Sequence, residues 1–219
     1  MESHLLSPPF LSWIFPLFLF VFGVIAFMKM VYPNHFSEYV KLPLNDKYIV
    51  IYEKKERKIH LFTFFLFFLQ WFSLSLFFYV CGQIYDLQFP VSTGFLFLDI
   101  AVLLLLLLGL KLVVQTSIAQ VFELRGFSKG YMFSRIAYSS YGAILVVVVL
   151  FFILYAVSLE KKYIYLLFGI LLIINVLGWI SIVKSNQKMI KPYIIYFILY
   201  LCTLEIAPYV FFIYGIRFL

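Results

Sequence analysis

Among the polar residues inside the long apolar stretches of this sequence, four are the main candidates for a functional site: Asp99, Lys111, Asn175 and Glu205. A charged side chain at the centre of a bilayer costs at least about 2.5–3.5 kcal/mol on insertion scales, so intramembrane polar residues are the first candidates for a function. The chemistry open to such groups is the binding of a proton or a cation, or hydrogen bonding between helices.

Glu205 is the strongest of these candidates, because it lies halfway along an apolar run and Pro208 follows three residues later. The proline ring has no amide hydrogen, so the carbonyl of Leu204 loses its helical partner. A carboxyl group beside a freed carbonyl at mid-membrane is typical of cation sites and proton relays in transporters. The alternative is structural, with a protonated or paired Glu205 holding two helices together.

Two further residues are candidate partners of Glu205. Lys111 lies about 6 Å to the cytoplasmic side of the middle of its span by helical rise. It can extend to the inner headgroups or pair with Glu205, which would ease the burial of both charges. Asn175 lies near the middle of another span, where amide hydrogen bonds between helices commonly serve packing. Asp99, toward the outer end of its span, and Gln70 are weaker candidates.

The composition indicates the environment in which these residues lie. The chain of 219 residues is 65% hydrophobic and 12% charged, whereas soluble domains are about 45–50% apolar and about 25% charged. A soluble fold could not bury this much apolar surface, so the bilayer must solvate most of the chain. We therefore predict an all-α, polytopic transmembrane helical bundle that forms one integral membrane domain over residues 1–219.

Six apolar runs are long enough to cross a hydrocarbon core about 30 Å thick. The predicted spans cover residues 10–28, 61–81, 95–119, 137–157, 163–183 and 193–214. The first run exceeds the usual length of a signal-peptide core, and no Lys or Arg precedes it, so we interpret it as a true span. Residues 29–60 form the only sizeable connection.

Basic residues are unevenly divided between the two sets of loops. Loop 29–60 holds seven Lys and Arg, and the loops after the third and fifth spans hold three each, against three in all on the opposite side. The positive-inside rule places the thirteen basic residues in the cytoplasm. Both termini are then predicted to lie outside the cytoplasm, and loop 29–60 is predicted to be cytoplasmic.

The densest basic segment leads into the second span and comprises Lys54, Lys55, Arg57 and Lys58. Anionic lipids of the inner leaflet attract such clusters, so we predict contact with lipid headgroups. Docking of a cytoplasmic or membrane partner is the alternative. Because the bilayer accounts for the basic loops, the net charge of +7 requires no nucleic acid partner.

The sequence contains none of the common enzyme templates. It has no G-x-S-x-G elbow, phosphate loop or H-E-x-x-H helix, and no span carries a pair of carboxylates. The two cysteines and three histidines do not stand at metal-ligand spacing. We therefore predict no enzymatic activity, with no catalytic residue, bound metal or cofactor.

The string over residues 197–208, and above all its L-C-T-L-E-I-x-P part, resembles the ending of an uncharacterised inner-membrane family of Bacteroidetes bacteria. Residues 32–39 and 73–78 are similar to other segments of that family, so the resemblance covers nearly the whole chain. Ala207 departs from the larger apolar residue expected there, which widens the space beside Glu205. The resemblance implies a multi-pass protein of the bacterial inner membrane, and it implies no reaction.

Two functions fit these observations. The first is a scaffold or accessory subunit of an envelope membrane assembly, in which buried polar residues fix the packing of helices. The second is a proton- or cation-coupled transporter or channel for small solutes that uses Glu205. Three spans in each direction would allow an inverted repeat, but the loops that would correspond differ greatly in length. An intramembrane enzyme acting on lipid would lack a nucleophile–base pair.

Overall fold

The computed structural model describes residues 10–43, 48–49, 51, 60–84, 96–121, 125–156 and 161–185. The predicted sixth span, with Glu205 and Pro208, lies outside the described residues. The predicted headgroup contacts Lys54, Lys55, Arg57 and Lys58 lie outside them as well.

The described part of the chain is helical. Its helices are α1 (Phe10–Val31), α2 (Pro33–Val40), α3 (His60–Ile84), α4 (Leu96–Val121), α5 (Arg125–Ala156) and α6 (Lys161–Ser185). All but α2 are long and apolar enough to cross a membrane. Helix α2 follows α1 after the single residue Tyr32, and Pro33 occupies its first turn, where a missing amide hydrogen does no harm.

Helix α5 begins well before the predicted start of its span at residue 137. It starts at Arg125, and the stretch suited to a membrane runs over Gly130–Ala156. Arg125, Ser128 and Lys129 make the first turns polar, yet no proline interrupts them, so the helix continues through them. The predicted start at residue 137 therefore lies after both the start of this helix and the start of its membrane-suited stretch.

Ring contacts show which helix ends lie together. Trp13 at the start of α1 lies 5.4 Å from the ring of Tyr79 near the end of α3, and 5.9 Å from that of Phe97 at the start of α4. At the other end, Tyr48 lies 6.4 Å from Phe62 of α3 and 5.7 Å from Phe133 of α5. The spanning helices thus alternate in direction, as a multi-pass chain requires. We call the end where α3 and α5 begin the α2 end.

Helices α3 and α5 form the centre of the bundle. Helix α3 packs against α1, α4 and α5, and α5 packs also against α6. Much of this packing is aromatic: Phe22 of α1 lies 5.3 Å from Phe151 of α5, and Phe77 of α3 lies 5.0 Å from Phe168 of α6. Edge-on rings at these distances attract each other, so many of the Phe residues serve helix packing.

The α5–α6 contact depends on two glycines. A Cβ atom added to Gly178 would lie 2.9 Å from the Cβ of Tyr138, and one added to Gly142 would lie 3.3 Å from Cγ2 of Ile174. Small residues let helix backbones approach closely in a membrane, where packing rather than the hydrophobic effect drives association. The close approach brings Tyr138 and α6 together at the α2 end.

Candidate functional site

Asn175, one of the two predicted partners of Glu205, is half-buried on α6, and its side chain forms a hydrogen bond within its own helix. Its Nδ2 donates a hydrogen bond of 2.8 Å to the carbonyl of Leu171. Lys111 is half-buried on α4, and Gln115, one helical turn later on the same face, is fully buried. Whether either partner meets Glu205 stays a prediction, because Glu205 lies outside the described residues.

Asp99 lies in the first turn of α4 and is half-buried. A carboxylate at this position interacts favourably with the partial positive charge of the helix N-terminus. This is the end of the bundle opposite to α2, so Asp99 lies near a membrane surface rather than at mid-membrane.

Gln70 and Ser73 place unsatisfied polar atoms near the middle of α3. Gln70 is 6% exposed and Ser73 is 1% exposed. Within the part of the chain that the structure describes, neither Oε1 of Gln70 nor Oγ of Ser73 has a hydrogen-bond partner. Nearby polar atoms of α3 do have partners: Ser75 Oγ donates to the carbonyl of Trp71 at 2.8 Å, and Trp71 Nε1 donates to the carbonyl of Ala101 at 2.7 Å.

A second group of polar side chains lies at the α2 end and centres on Tyr39, which is buried. The hydroxyls of Tyr39 and Ser140 lie 2.9 Å apart, and Ser140 Oγ donates to the carbonyl of Ala137 at 3.0 Å. A serine hydroxyl has one hydrogen, so Tyr39 is the donor to Ser140. Helix α2 is thereby joined to α5 by a buried side-chain hydrogen bond among aromatic rings.

The surroundings of Tyr39 favour its protonated form. Burial raises the pKa of the Tyr39 hydroxyl well above its usual value, the hydrogen bond with Ser140 opposes that rise, and neighbouring Tyr48 and Tyr141 add to it. The Tyr39 ring also lies edge-on to the rings of Tyr48 and Tyr141, at 5.6 and 5.8 Å. Tyr39 is therefore a neutral hydrogen-bond donor throughout the physiological pH range.

Tyr138 connects the chain after α2 to α6. Its hydroxyl donates a long hydrogen bond of 3.5 Å to the carbonyl of Leu42, and its Cβ lies against Gly178. Tyr138 is 3% exposed and Leu42 is fully buried. One side chain thus contacts both the segment that follows α2 and the α5–α6 crossing.

Arg135 is the functional candidate that sequence reasoning missed, because it was assigned to a loop. The structure places it inside α5, 7% exposed, with its guanidinium 5.6 Å from the centre of the Trp179 ring of α6. A cation over an indole face is a favourable contact, more so when both are desolvated. The signal was present in the spacing of Tyr131, Arg135 and Tyr138, which recur at helical intervals on one face.

The described helices contain no cluster of side chains that could bind a metal ion. Within residues 10–43, 60–84, 96–121, 125–156 and 161–185, no three His, Cys, Asp or Glu side chains converge. Cys81 is a buried free thiol near the end of α3, and Cys202 lies outside the described residues. The buried polar side chains of the described part therefore carry hydroxyl, amide and guanidinium groups.

A family described as a domain of unknown function, DUF4271, matches residues 14–216. The chain belongs to this family. The match runs through every described helix, and it confirms the resemblance to an uncharacterised family. The bacterial group, and the part played by the carboxyl-terminal string in the resemblance, stay predictions. No curated protein and no solved structure matches this DUF4271 chain.

Proposed function

We propose that this DUF4271 protein is a scaffold or accessory subunit of a membrane assembly in the bacterial cell envelope, held in the inner membrane. The observation that carries the proposal is that several polar side chains in the spans donate hydrogen bonds to the backbone of their own helix. Four of them donate to a carbonyl of their own helix at 2.7–3.0 Å, namely Ser75, Thr116, Ser140 and Asn175. Groups bonded in this way support helices and their packing rather than the binding of a solute.

Helix α4 offers a lateral surface for a partner. Only 11% of its membrane-spanning stretch is buried inside the protein, whereas the corresponding share for α5 is 50%. Its exposed side chains are mostly leucine and valine: Val102, Leu103, Leu105, Leu106, Leu107, Leu110 and Val113. Lipid tails cover such a face as readily as another helix does, so an experiment has to distinguish a protein partner from lipid.

The membrane itself is the other partner in this proposal. With basic loops on the cytoplasmic side, Lys54, Lys55, Arg57 and Lys58 would lie against anionic headgroups of the inner leaflet. Each basic residue close to such a surface contributes about 1 kcal/mol of attraction. This contact would fix the depth of the bundle and leave its lateral surfaces to other membrane proteins.

A proton- or cation-coupled transporter or channel for small solutes is the second candidate. It would use Glu205 beside Pro208, with Lys111 and Asn175 as partners. The observation that favours it is the pair of unsatisfied buried atoms on Gln70 and Ser73, which the scaffold proposal leaves unexplained. Unsatisfied polar atoms inside a membrane bundle are expensive and often mark pathways for ions or protons.

Purification of the tagged full-length protein from its native membrane in a mild detergent tests the scaffold proposal. We expect at least one membrane protein to co-purify in fixed ratio, and we expect leucine-to-tryptophan changes at Leu106 and Leu110 to release it. The same changes at Leu166 and Leu172, which are exposed on α6, are the matched control. A monodisperse monomer without a partner would contradict the proposal.

Glu205→Gln separates the two candidates. For a scaffold, we expect loss of a buried charge pair to weaken the fold or release the partner. For a transporter, the variant should insert and stay folded while ion-coupled flux into proteoliposomes is abolished. Glu38→Gln is the control, because Glu38 forms only a surface ion pair of 3.6 Å with Lys41, and such pairs contribute little.

A further inference from the structure

Two serines of α3, two residues apart, differ in how their hydroxyls are satisfied. Ser75 donates to the carbonyl four residues earlier, as does Thr116 on α4. This is the usual arrangement for a hydroxyl in a membrane helix. Ser73 has no such bond within the described helices, although it is 1% exposed. Its hydroxyl must therefore be satisfied from outside its own helix or remain unsatisfied.

Gln70 lies one helical turn before Ser73 on the same face of α3. Residues three apart on a helix have Cβ atoms about 5–6 Å apart. The Oε1 atom of Gln70 is an acceptor with no donor among the described residues, and the side chain is 6% exposed. A buried carbonyl oxygen and a buried hydroxyl, each without a hydrogen-bond partner among the described residues, thus lie one helical turn apart near the middle of α3.

We propose that Gln70 and Ser73 together bind a water molecule near the middle of the membrane. A water can donate to Oε1 of Gln70 and exchange a second hydrogen bond with Oγ of Ser73, so both atoms gain a partner at once. Buried waters in proteins occupy this kind of position, between polar groups that would otherwise be unsatisfied. The inference is independent of the scaffold proposal.

The alternative donor of the same chemistry is the Glu205 carboxylic acid of this chain. The water is favoured because it requires only two residues that lie one turn apart on α3, whereas Glu205 lies outside the described residues.

A double-mutant cycle tests the proposal through the equilibrium unfolding of the full-length protein in mixed detergent micelles. The single changes are Ser73→Ala and Gln70→Met, with Ser75→Ala as the matched control. We expect Ser73→Ala to lower the folding equilibrium constant by about fivefold, the typical effect of one lost hydrogen bond. We expect Ser73→Ala to have much less effect once Gln70 is Met, because the two side chains share one ligand.

Three results would overturn the proposal. Stabilisation by Ser73→Ala would show that the hydroxyl is dry and unsatisfied. Additive effects of the two changes would show that no ligand is shared. Loss of the coupling in a Glu205→Leu background would identify the carboxyl group, rather than water, as the donor.

A second measurement applies even if Gln70→Met fails to fold. Brief X-ray radiolysis of the folded protein generates hydroxyl radicals from bound water, which oxidise the side chains beside it. We expect oxidation of Leu69, which lies one helical turn before Ser73 on the same face, in the wild type and in Ser75→Ala, and its loss in Ser73→Ala. Leu69 is 1% exposed, so its oxidation needs water inside the bundle. Unoxidised Leu69 in the wild type would contradict a bound water.

Discussion

Tyr39 shows how a single hydroxyl fixes the place of a short helix. Helix α2 has only eight residues, too few to be stable alone in water. Its buried face is held by the Tyr39–Ser140 hydrogen bond and by the rings of Tyr48, Phe62 and Tyr141. The rings supply contact area, and the hydroxyl sets the position of α2 against α5.

Tyr39→Phe should destabilise the protein by about 0.5–1.5 kcal/mol, because it removes one hydrogen bond and keeps the ring. Ser140→Ala should cost more, about 1–3 kcal/mol, because the Tyr39 hydroxyl then remains buried without an acceptor. Detergent unfolding followed by tryptophan fluorescence measures both. Tyr165→Phe on α6 is the control, since Tyr165 is 69% exposed. Equal effects at positions 39 and 165 would refute the assignment.

The same hydroxyl gives the protein a dependence on alkaline pH. The pKa of Tyr39 is raised in the folded state above its ordinary value of 10.0, so the folded state holds the proton more tightly than the unfolded chain does. This contribution to stability is complete below pH 10 and is lost as the pH rises toward the folded-state pKa. We expect part of the alkaline loss of stability in the wild type to be absent from Tyr39→Phe. Identical pH profiles for the two proteins would contradict this expectation.

At the scale of the helices, hydropathy predicted the five described helices that are long and apolar enough to cross a membrane. It predicted none of the contacts between them. The spans at residues 61–81 and 163–183 lie inside α3 and α6, because a long apolar run without proline has few alternatives to a helix in a bilayer. The burial of Arg135 was missed, since it depends on Trp179, which α6 places beside it. The rotation of a helix is set by such packing, which local sequence does not encode.

Gly178 is the residue on which the α5–α6 contact can be tested. Gly178→Ala places a methyl group 2.9 Å from the Cβ of Tyr138, and an atom so near the backbone cannot move aside without moving the helix. Overpacking of this kind costs about 1–3 kcal/mol, more than the gain of about 0.5–1 kcal/mol from replacing a helical glycine. We expect a lower unfolding midpoint in detergent.

Gly169→Ala supplies the matched control on the same helix. A Cβ at Gly169 meets nothing within 4 Å, so only the gain in helix propensity remains and the variant should be as stable as the wild type or slightly more so. If both alanine variants behaved alike, the close approach of α5 and α6 at Gly178 would be refuted.

At the scale of the whole molecule, the order of helix ends agrees with the alternation expected of a multi-pass protein. The helix ends next to the basic loops lie together at the α2 end. There the ring of Tyr32, in the α1–α2 connection, lies 5.7 Å from that of Phe62 of α3. Which side of the membrane this end faces follows only from the count of Lys and Arg. The predicted intramembrane site at Glu205 and Pro208 lies outside the described residues and stays a prediction.

Cysteine labelling in intact cells tests the orientation. In a variant with Cys81 and Cys202 changed to Ala, we expect Ser37→Cys at the α2 end to react with an impermeant maleimide only after the cells are permeabilised. Lys162→Cys at the opposite end should react without permeabilisation. Both positions are exposed. The reverse pattern would place the basic loops outside and overturn the predicted topology.

The path from Leu42 to Gly178 has a mechanical consequence. Leu42 lies in the segment that follows α2, and its carbonyl accepts a hydrogen bond from the Tyr138 hydroxyl. The Cβ of the same tyrosine packs against Gly178. A side chain added at Gly178 would push on the Cβ of Tyr138. Strain introduced on α6 would therefore reach the hydrogen bond that Tyr138 donates to the carbonyl of Leu42.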